Sequence, residues 1–177
     1  SISAPAAPSE NAYQVGVNGL FARASLGYKD YLYVDLTGRQ DVSSTLPTAN
    51  NSFFYPSATL SLVFSELLDA DVINFGKFRA NYAQVGADAP AQALANAYNM
   101  GTPFGSANLA SAPNTNANAS LLPESTTSTE LGLEMMLFDN RVGFDLSYYD
   151  QTSSNQIMPA RVSSTTGSIF KYVNAGV

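Results

Sequence analysis

The sequence contains no cysteine and no histidine, and charged residues make up only 12% of its 177 positions. The absence of cysteine excludes a disulfide framework, a thiolate zinc site and a thiol nucleophile. The absence of histidine removes the side chain that most often serves as a general base or a transition-metal ligand. We therefore expect no catalytic residue, no metal site and no cofactor in this chain, and we do not expect an enzyme.

Positive charge and long hydrophobic runs are also scarce. Eight lysines and arginines stand against 14 aspartates and glutamates, for a net charge of -6. This balance argues against nucleic acid as a partner, because phosphate binding depends on clustered lysine and arginine. No stretch approaches the ~20 consecutive apolar residues of a membrane-spanning helix. Because 45% of the residues are hydrophobic, however, the chain is far from the composition of a disordered polymer.

What the sequence does contain is a repeated alternation of apolar and polar residues with a period of two, which is typical of β-strands with two different faces. In the segment 127–138, for example, Glu130 and Glu134 alternate with leucine and methionine. The pattern predicts seven strands, in the segments 19–28, 31–40, 52–65, 74–84, 127–138, 141–150 and 168–177.

Most charged residues inside the predicted strands fall on the face opposite to the apolar one. A face of this kind suits the watery lumen of a barrel, while the apolar face suits contact with outer-membrane lipid. Charges on one lumen wall can pair across neighbouring strands. We predict that the following side chains face the lumen: Arg23, Asp35, Arg39, Lys77, Arg79, Glu130, Glu134 and Asp145.

The connections between the predicted strands alternate in length. Short ones are expected at residues 29–30, 66–72 and 139–140, and long ones at 41–51, 86–125 and 151–168. In an up-and-down meander the short connections share one end of the sheet and the long ones the other, as in bacterial outer-membrane barrels with long extracellular loops. We therefore expect 86–125 to be a long extracellular loop. Within it, the composition of residues 91–100 would allow a short helix. This loop either contacts a ligand or forms a flexible cover.

Seven strands cannot close a bacterial outer-membrane barrel, which has an even number of strands from about eight upward. An open edge in lipid would leave backbone groups without hydrogen-bond partners, at several kcal/mol each. The expected fold is therefore all-β, an antiparallel up-and-down transmembrane β-meander in which residues 1–177 form a segment of a larger barrel domain. The alternation also allows a soluble β-sandwich, although strands of ten or more residues exceed its usual length.

Two pairs of carboxylates have a spacing that could suggest chemistry. Glu130 and Glu134 lie on the same face of one predicted strand, about 13 Å apart, whereas the carboxylates of glycosidases are about 5 to 9.5 Å apart. Asp69 and Asp71 lack the third acid, the glycine and the distal glutamate of a calcium loop. We interpret the first pair as lumen-wall charges and the second as a solvated turn.

Residues 121–157, with the sequence LLPESTTSTELGLEMMLFDNRVGFDLSYYDQTSSNQI, resemble the signature stretch of SusC/RagA-type TonB-dependent outer-membrane transporters. The points of likeness are a Leu-x-Pro-Glu-x-Thr-Thr entry, an E-x-G-L strand, an Asn-Arg hairpin, and a Tyr-Tyr strand end followed by Asn-Gln-Ile. Further likeness to the family extends over 18–45, 53–67, 75–86 and the closing YVNAG at 172–176. Together these stretches cover almost everything from about Gly16 to Val177.

The resemblance implies a barrel of about 22 strands that is plugged by an N-terminal domain. Such proteins import oligosaccharides or peptides across the bacterial outer membrane with energy from the inner-membrane TonB complex, and a SusD-like surface lipoprotein serves as a lid. The plug domain, through which the TonB complex acts, has no counterpart in these 177 residues. The strand pattern alone would also suit a passive porin, an autotransporter-type barrel segment, or a soluble carbohydrate-binding β-sandwich.

Overall fold

A computed structural model describes residues 12–176, where the regular structure is almost entirely β-strand. The strands are β1 (Val17–Tyr28), β2 (Leu32–Ser43), β3 (Ser52–Val63), β4 (Ile73–Ala87), β5 (Asn99–Met100), β6 (Ala110–Ser111), β7 (Thr115–Asn116), β8 (Glu124–Leu137), β9 (Val142–Ser154), β10 (Gln156–Arg161) and β11 (Phe170–Ala175). The helical elements of this part are two short 3-10 helices, Phe64–Leu67 and Ser164–Thr166. No helix within residues 12–176 has the length and apolar character needed to span a membrane.

Six long strands form one antiparallel sheet in the order β1-β2-β3-β4-β8-β9, so each long strand pairs with the next one along the chain. These strands are 12 to 15 residues long, which suffices for the ~9 to 11 residues of a tilted membrane crossing. The predicted all-β antiparallel meander is confirmed. The remaining strands form two small sheets, one in the order β10-β11-β7 and one from β5 and β6.

The two tightest connections have backbone conformations that suit β-hairpins. Lys29 and Asp30 have φ values of 48° and 59°, in the left-handed region. The backbone N–H of Tyr31 donates to the carbonyl oxygen of Tyr28 at 3.3 Å and closes this turn. Residues 138–140, between β8 and β9, also have positive φ values. Such turns match the twist of the flanking strands, and both lie where the sequence predicts them, although each is slightly longer than two residues.

The long connections differ from the sequence prediction in two respects. The predicted strand 168–177 does not join the meander, because β11 pairs with β10, which lies inside the connection expected at 151–168. Asn155, with a φ of 55°, redirects the chain between β9 and β10. The short helix that the composition of 91–100 would allow does not form either: these residues form turns and end in β5. A short alanine-rich segment has too little helical stability of its own to resist its surroundings.

Pro56 marks the point at which two neighbouring strands separate. It is the fifth residue of β3 and lies opposite Gly38 of β2. The ladder between β3 and β4 ends at the next residue, Ser57, which pairs with Ala83. The missing N–H of proline therefore costs no hydrogen bond to β4. Beyond this point the side chain of Tyr55 occupies the gap between the two strands.

The buried hydrophobic side chains of residues 12–176 lie in the long connections and not in the six-stranded sheet. Leu46, Ala89, Ala93 and Leu121 form this cluster. It is surrounded by partly buried side chains from the connections and the adjoining strands, namely Phe53, Leu94, Ile157 and Tyr172. Burial of one leucine such as Leu121 contributes roughly 1.5 to 3 kcal/mol. The connections thus form a packed unit, termed the loop layer, with a small core of its own.

Asn174 attaches β11 to the loop layer through its side-chain amide. Its Oδ1 accepts a hydrogen bond from the backbone N–H of Leu122 at 2.9 Å. Its Nδ2 donates to the carbonyl oxygens of Leu122 at 2.9 Å and of Asn155 at 2.8 Å. The amide therefore pairs with Leu122 as a backbone peptide group would. This pairing gives a structural reason for the asparagine in the YVNAG stretch.

The ladders determine which side chains share a face of the sheet, because directly paired residues point to the same side. Leu133 pairs with Phe78 on one side and with Leu146 on the other, so three apolar side chains lie next to one another. This apolar face is uncovered: Leu20 is 77% exposed and Leu146 is 61% exposed. Within residues 12–176 no second sheet covers this face, as a soluble β-sandwich would require.

Arginine at position 133 should destabilise the complete barrel more than arginine at position 134. Leu133 belongs to the apolar face, and Glu134 is its neighbour on the opposite face. Near the midplane of a bilayer, Leu133→Arg should cost roughly 2 to 4 kcal/mol, whereas Glu134→Arg should cost much less on a wet face. Urea unfolding of the complete barrel from lipid vesicles measures both costs. Equal costs would contradict the membrane assignment, and a larger cost at 134 would mean a register shifted by one residue.

Candidate functional site: the polar face of the sheet

The charged residues that the sequence assigns to a lumen all lie on one face of the six-stranded sheet. Lys77 pairs with Glu134, for example, and Glu134 pairs with Asp145 on the next strand. The strand pairings from β1 to β9 place all the predicted lumen residues on this side of the sheet, which is termed the polar face. These residues are Arg23, Asp35, Arg39, Lys77, Arg79, Glu130, Glu134 and Asp145. That the polar face lines a lumen stays a prediction.

Arg23 and Asp35 form an ion pair between β1 and β2. The Nη2 of Arg23 lies 2.7 Å from the Oδ1 of Asp35, and its Nε donates to the same oxygen at 3.2 Å. The hydroxyl of Ser25 also donates to this oxygen. Because the side chain of Arg23 is 59% exposed, solvent screens the pair and it adds little to stability. The group positions charge on the polar face more than it stabilises the fold.

A second ion pair lies at the end of the polar face that adjoins the loop layer. The Nε of Arg39 donates to the two carboxylate oxygens of Asp41 at 2.8 and 2.9 Å. Gly19 lies directly opposite Asp41, and this pair fills the space that a side chain at Gly19 would need. Beside it, the gap between β3 and β4 holds a cavity of about 530 Å³, with Phe21 and Tyr55 among its walls.

Nearer the short turns, Arg79 of β4 reaches past β8 to a carboxylate on β9. Its Nη2 donates to both carboxylate oxygens of Asp145, at 2.9 and 3.0 Å, and its Nη1 lies 3.4 Å from Glu134. Gly132 is directly opposite Arg79 and leaves room for the guanidinium. A Cβ at Gly132 would stand only 2.9 Å from the Nε of Arg79. Any larger residue at position 132 would therefore displace this arginine.

Several residues of the polar face were missed by sequence reasoning. Asn81 and Tyr149 flank Glu130 directly, one on each neighbouring strand. Asp41, which the sequence places in the connection 41–51, belongs instead to β2. The alternation of the sequence contains the signal for these positions. Each of them is an even number of residues away from a charged residue of the polar face in the same strand. Asn81 and Tyr149 carry no charge at neutral pH and so do not stand out in the pattern of charged residues, whereas Asp41 lies just beyond the predicted end of its strand.

A further cavity of about 320 Å³ lies in the connection between β4 and β8. Its polar walls come from amide, hydroxyl and phenol side chains, without a charged group: Gln92, Asn96, Asn99, Asn114, Thr115 and Tyr172. The Nδ2 of Asn96 donates to Asn116 at 2.5 Å, and its Oδ1 accepts from the backbone N–H of Ala117 at 2.6 Å. Amides offer both donors and acceptors, so this cavity suits a neutral polar group.

The carboxylates of the described residues do not converge on a common point. Among residues 12–176, no three side chains of the types Asp, Glu, His or Cys are close enough together to hold a metal ion. On the polar face, cationic side chains lie between or beside them, as Arg79 does with Glu134 and Asp145. This distribution provides several separate contact points along a wall.

Residues 2–177 match the family described as TonB dependent receptor-like, beta-barrel, and the chain therefore belongs to that family. The TonB-dependent receptors P3 and P26 of Formosa agariphila are each 26% identical to it, over 96% and 90% of this chain. The chain spans only 18% and 17% of the length of these two relatives. The resemblance to TonB-dependent transporters of the SusC/RagA type is confirmed, and the relatives are receptors rather than enzymes.

Solved structures contain the same arrangement of strands. The RagAB peptide transporter matches with a TM-score of 0.79 at 18% identity, over 90% of this chain and 18% of that one. The siderophore receptor PirA from Pseudomonas aeruginosa matches with a TM-score of 0.60 at 19% identity, over 92% of this chain and 29% of that one. At these identities the likeness establishes the fold, which is that of a barrel segment.

A side chain at position 132 should abolish the contribution of Asp145 to stability. In the unaltered barrel, Asp145→Asn should lower the free energy of unfolding by a small but measurable amount, because it removes the partner of Arg79. In a Gly132→Val barrel it should cost almost nothing, because Arg79 is already displaced. A double-mutant cycle with urea unfolding of the complete barrel measures this coupling. Asp35→Asn is the control and should be additive with Gly132→Val. Additivity for Asp145→Asn as well would contradict the role assigned to Gly132.

Proposed function

We propose that this chain forms part of the barrel wall of a TonB-dependent importer that takes up oligosaccharides or peptides through the bacterial outer membrane. The observation that carries the proposal is the chemical contrast between the two faces of one six-stranded meander. In this function the apolar face contacts membrane lipid, and the polar face lines the lumen. The TonB complex acts through a plug domain that lies outside these residues.

The strands support this assignment at the level of single side chains. Between Leu131 and Leu137, every second residue of β8 is leucine or methionine and points to the apolar face. The intervening Glu134 points to the polar face, where Arg79 lies 3.4 Å away. A charged side chain on a lipid-facing position costs roughly 2 to 4 kcal/mol near the bilayer midplane. The observed segregation avoids this cost throughout the strand.

The proposed substrates are polar molecules of several linked units. The polar face offers separated charged groups, and the cavity of about 320 Å³ offers neutral amides. Both kinds of group suit oligosaccharides and peptides, and the peptide class is supported by the likeness to the RagAB peptide transporter. The loop layer, at the end of the long connections, is the proposed contact surface for a SusD-like surface lipoprotein. That end of the sheet is proposed to be extracellular.

Energy dependence provides the test of the import function. Bacteria that express the complete protein are supplied with a digest of peptides and a mixture of oligosaccharides, and depletion of each molecule is followed by mass spectrometry. Deletion of the gene should abolish uptake of the transported class, and so should a protonophore or loss of TonB. A passive porin would continue to take up the same molecules after protonophore treatment, and that result would overturn the proposal.

The orientation of the sheet can be tested with single cysteines. Ser106 lies in the exposed connection between β5 and β6, and Asp30 lies in the short turn between β1 and β2. In intact cells an impermeant maleimide should label Ser106→Cys, because the long connections are proposed to lie outside. It should label Asp30→Cys only after the outer membrane is permeabilised. The reverse pattern would invert the proposed orientation.

A further inference from the structure

Three residues form a direct row across the polar face. Asn81 of β4 pairs with Glu130 of β8, and Glu130 pairs with Tyr149 of β9. Directly paired side chains in an antiparallel sheet have Cβ atoms about 4.5 to 5.5 Å apart. An amide, a carboxylate and a phenol ring are therefore held side by side on three rigid strands. None of them takes part in the ion pairs described above.

Glu130 is a carboxylate without a cationic partner among the described residues. The other acidic groups that β8 and β9 place on the polar face are engaged: Arg79 contacts Glu134 and Asp145, and Glu124 accepts the backbone N–H of Ile157 at 2.7 Å. The hydrogen bonds of the Arg79 guanidinium are to Asp145 and Glu134, and it forms no salt bridge with Glu130. Lys77 is opposite Glu134 and four positions along β8 from Glu130, about 13 Å at strand spacing.

A cavity of about 280 Å³ adjoins this row, and Asn81, Glu130 and Tyr149 are among its walls. The Oδ1 atom of Asn81 is buried and has no hydrogen-bond donor within the described residues. A buried acceptor without a donor is uncommon in folded proteins and calls for a specific explanation. The ring of Tyr149 lies on the polar face of the edge strand β9, and this residue is 77% exposed within the segment.

We propose that this cavity binds a primary ammonium group of the transported ligand. An ammonium group has three N–H donors and no acceptor. The carboxylate of Glu130 supplies a charged acceptor, and the buried Oδ1 of Asn81 supplies a second one once its side chain turns toward the cavity. The face of an aromatic ring such as that of Tyr149 attracts cations. A charge-assisted hydrogen bond to a carboxylate is stronger than one between neutral groups. The cavity thus matches a cationic end group better than a neutral hydroxyl.

The size of the cavity indicates that it receives one end of a ligand. Cavities that enclose a drug-sized molecule are usually about 300 to 1,000 Å³, and this one is smaller, at about 280 Å³. The ammonium group can belong to the free N-terminus of a peptide or to an amino sugar. The inference rests on the proposed import function and deepens it by naming the chemical group that is recognised.

The test compares matched ligands that differ only in acetylation of their amino groups, which number one in the peptide pair and four in the sugar pair. The peptide pair is tetra-alanine and N-acetyl-tetra-alanine, and the sugar pair is a chitosan tetramer and the corresponding chitin tetramer. Binding of each to the complete purified transporter is measured by titration calorimetry. In at least one pair the free amine should bind about tenfold more tightly than its acetylated partner. The pair that shows the preference identifies the source of the ammonium group.

Single substitutions test whether the row of Asn81, Glu130 and Tyr149 causes the preference for the free amine. Glu130→Gln should bring the two members of the pair within about twofold of each other, because the charge is lost and the shape is kept. Glu134→Gln is the matched control: it neutralises a carboxylate already contacted by Arg79, and the preference should remain. Tyr149→Leu should weaken the preference, and Tyr149→Phe should preserve it because the ring is retained.

Equal binding within both pairs, or a preference that persists in Glu130→Gln, would overturn the ammonium site. Failure of all four ligands to bind would overturn it as well. These outcomes differ from failure of the import function, which is judged by protonophore-sensitive uptake. If the protein took up the acetylated and the free forms equally, the proposed import function would stand and only the ammonium site would be wrong.

Discussion

The backbone register shared by six strands, with one shift between Ile73 and Phe75 near a short turn, determines almost everything else about this segment. Side chains alternate between faces with a period of two, so a slip of one residue in any ladder would exchange the two faces beyond it. The pairing of β4 with β8 shows how the register is held: Lys77 is opposite Glu134, and Phe78 is opposite Leu133. Each face thus opposes a slip, one by placing unlike charges opposite each other and the other by placing apolar side chains opposite each other.

The sheet and the loop layer obtain their stability in different ways. The loop layer has its own small core around Leu121 and is tied to β11 through Asn174. The sheet has no equivalent core: every residue of β1 is exposed, and most of β9 is exposed as well. These are the two edge strands, and free edges of this length normally pair with further strands. The loop layer therefore resembles part of a water-soluble domain, whereas the sheet needs its surroundings to be complete.

The strands and the faces could be predicted from the sequence because a period of two is a local property. This period predicts the six long strands. It also assigns Arg23 and Asp145, which lie at opposite edges of the sheet, to the same face. The partner of β11 could not be predicted, because it depends on contacts between distant segments, such as that of Asn174 with Leu122. The contact of Arg79 with Asp145 was equally hidden, since it depends on the absence of a side chain at Gly132.

The opening of the sheet at Pro56 has a consequence for the position of the bilayer. Past the pairing of Ser57 with Ala83, β3 and β4 no longer satisfy each other's backbone groups, and such groups are not tolerated in hydrocarbon. The apolar face becomes polar at the same height, where Gln84 pairs with Thr127 just beyond Tyr82. In the proposed orientation, Pro56 therefore marks the level at which the gap between β3 and β4 must lie outside the hydrocarbon of the outer leaflet.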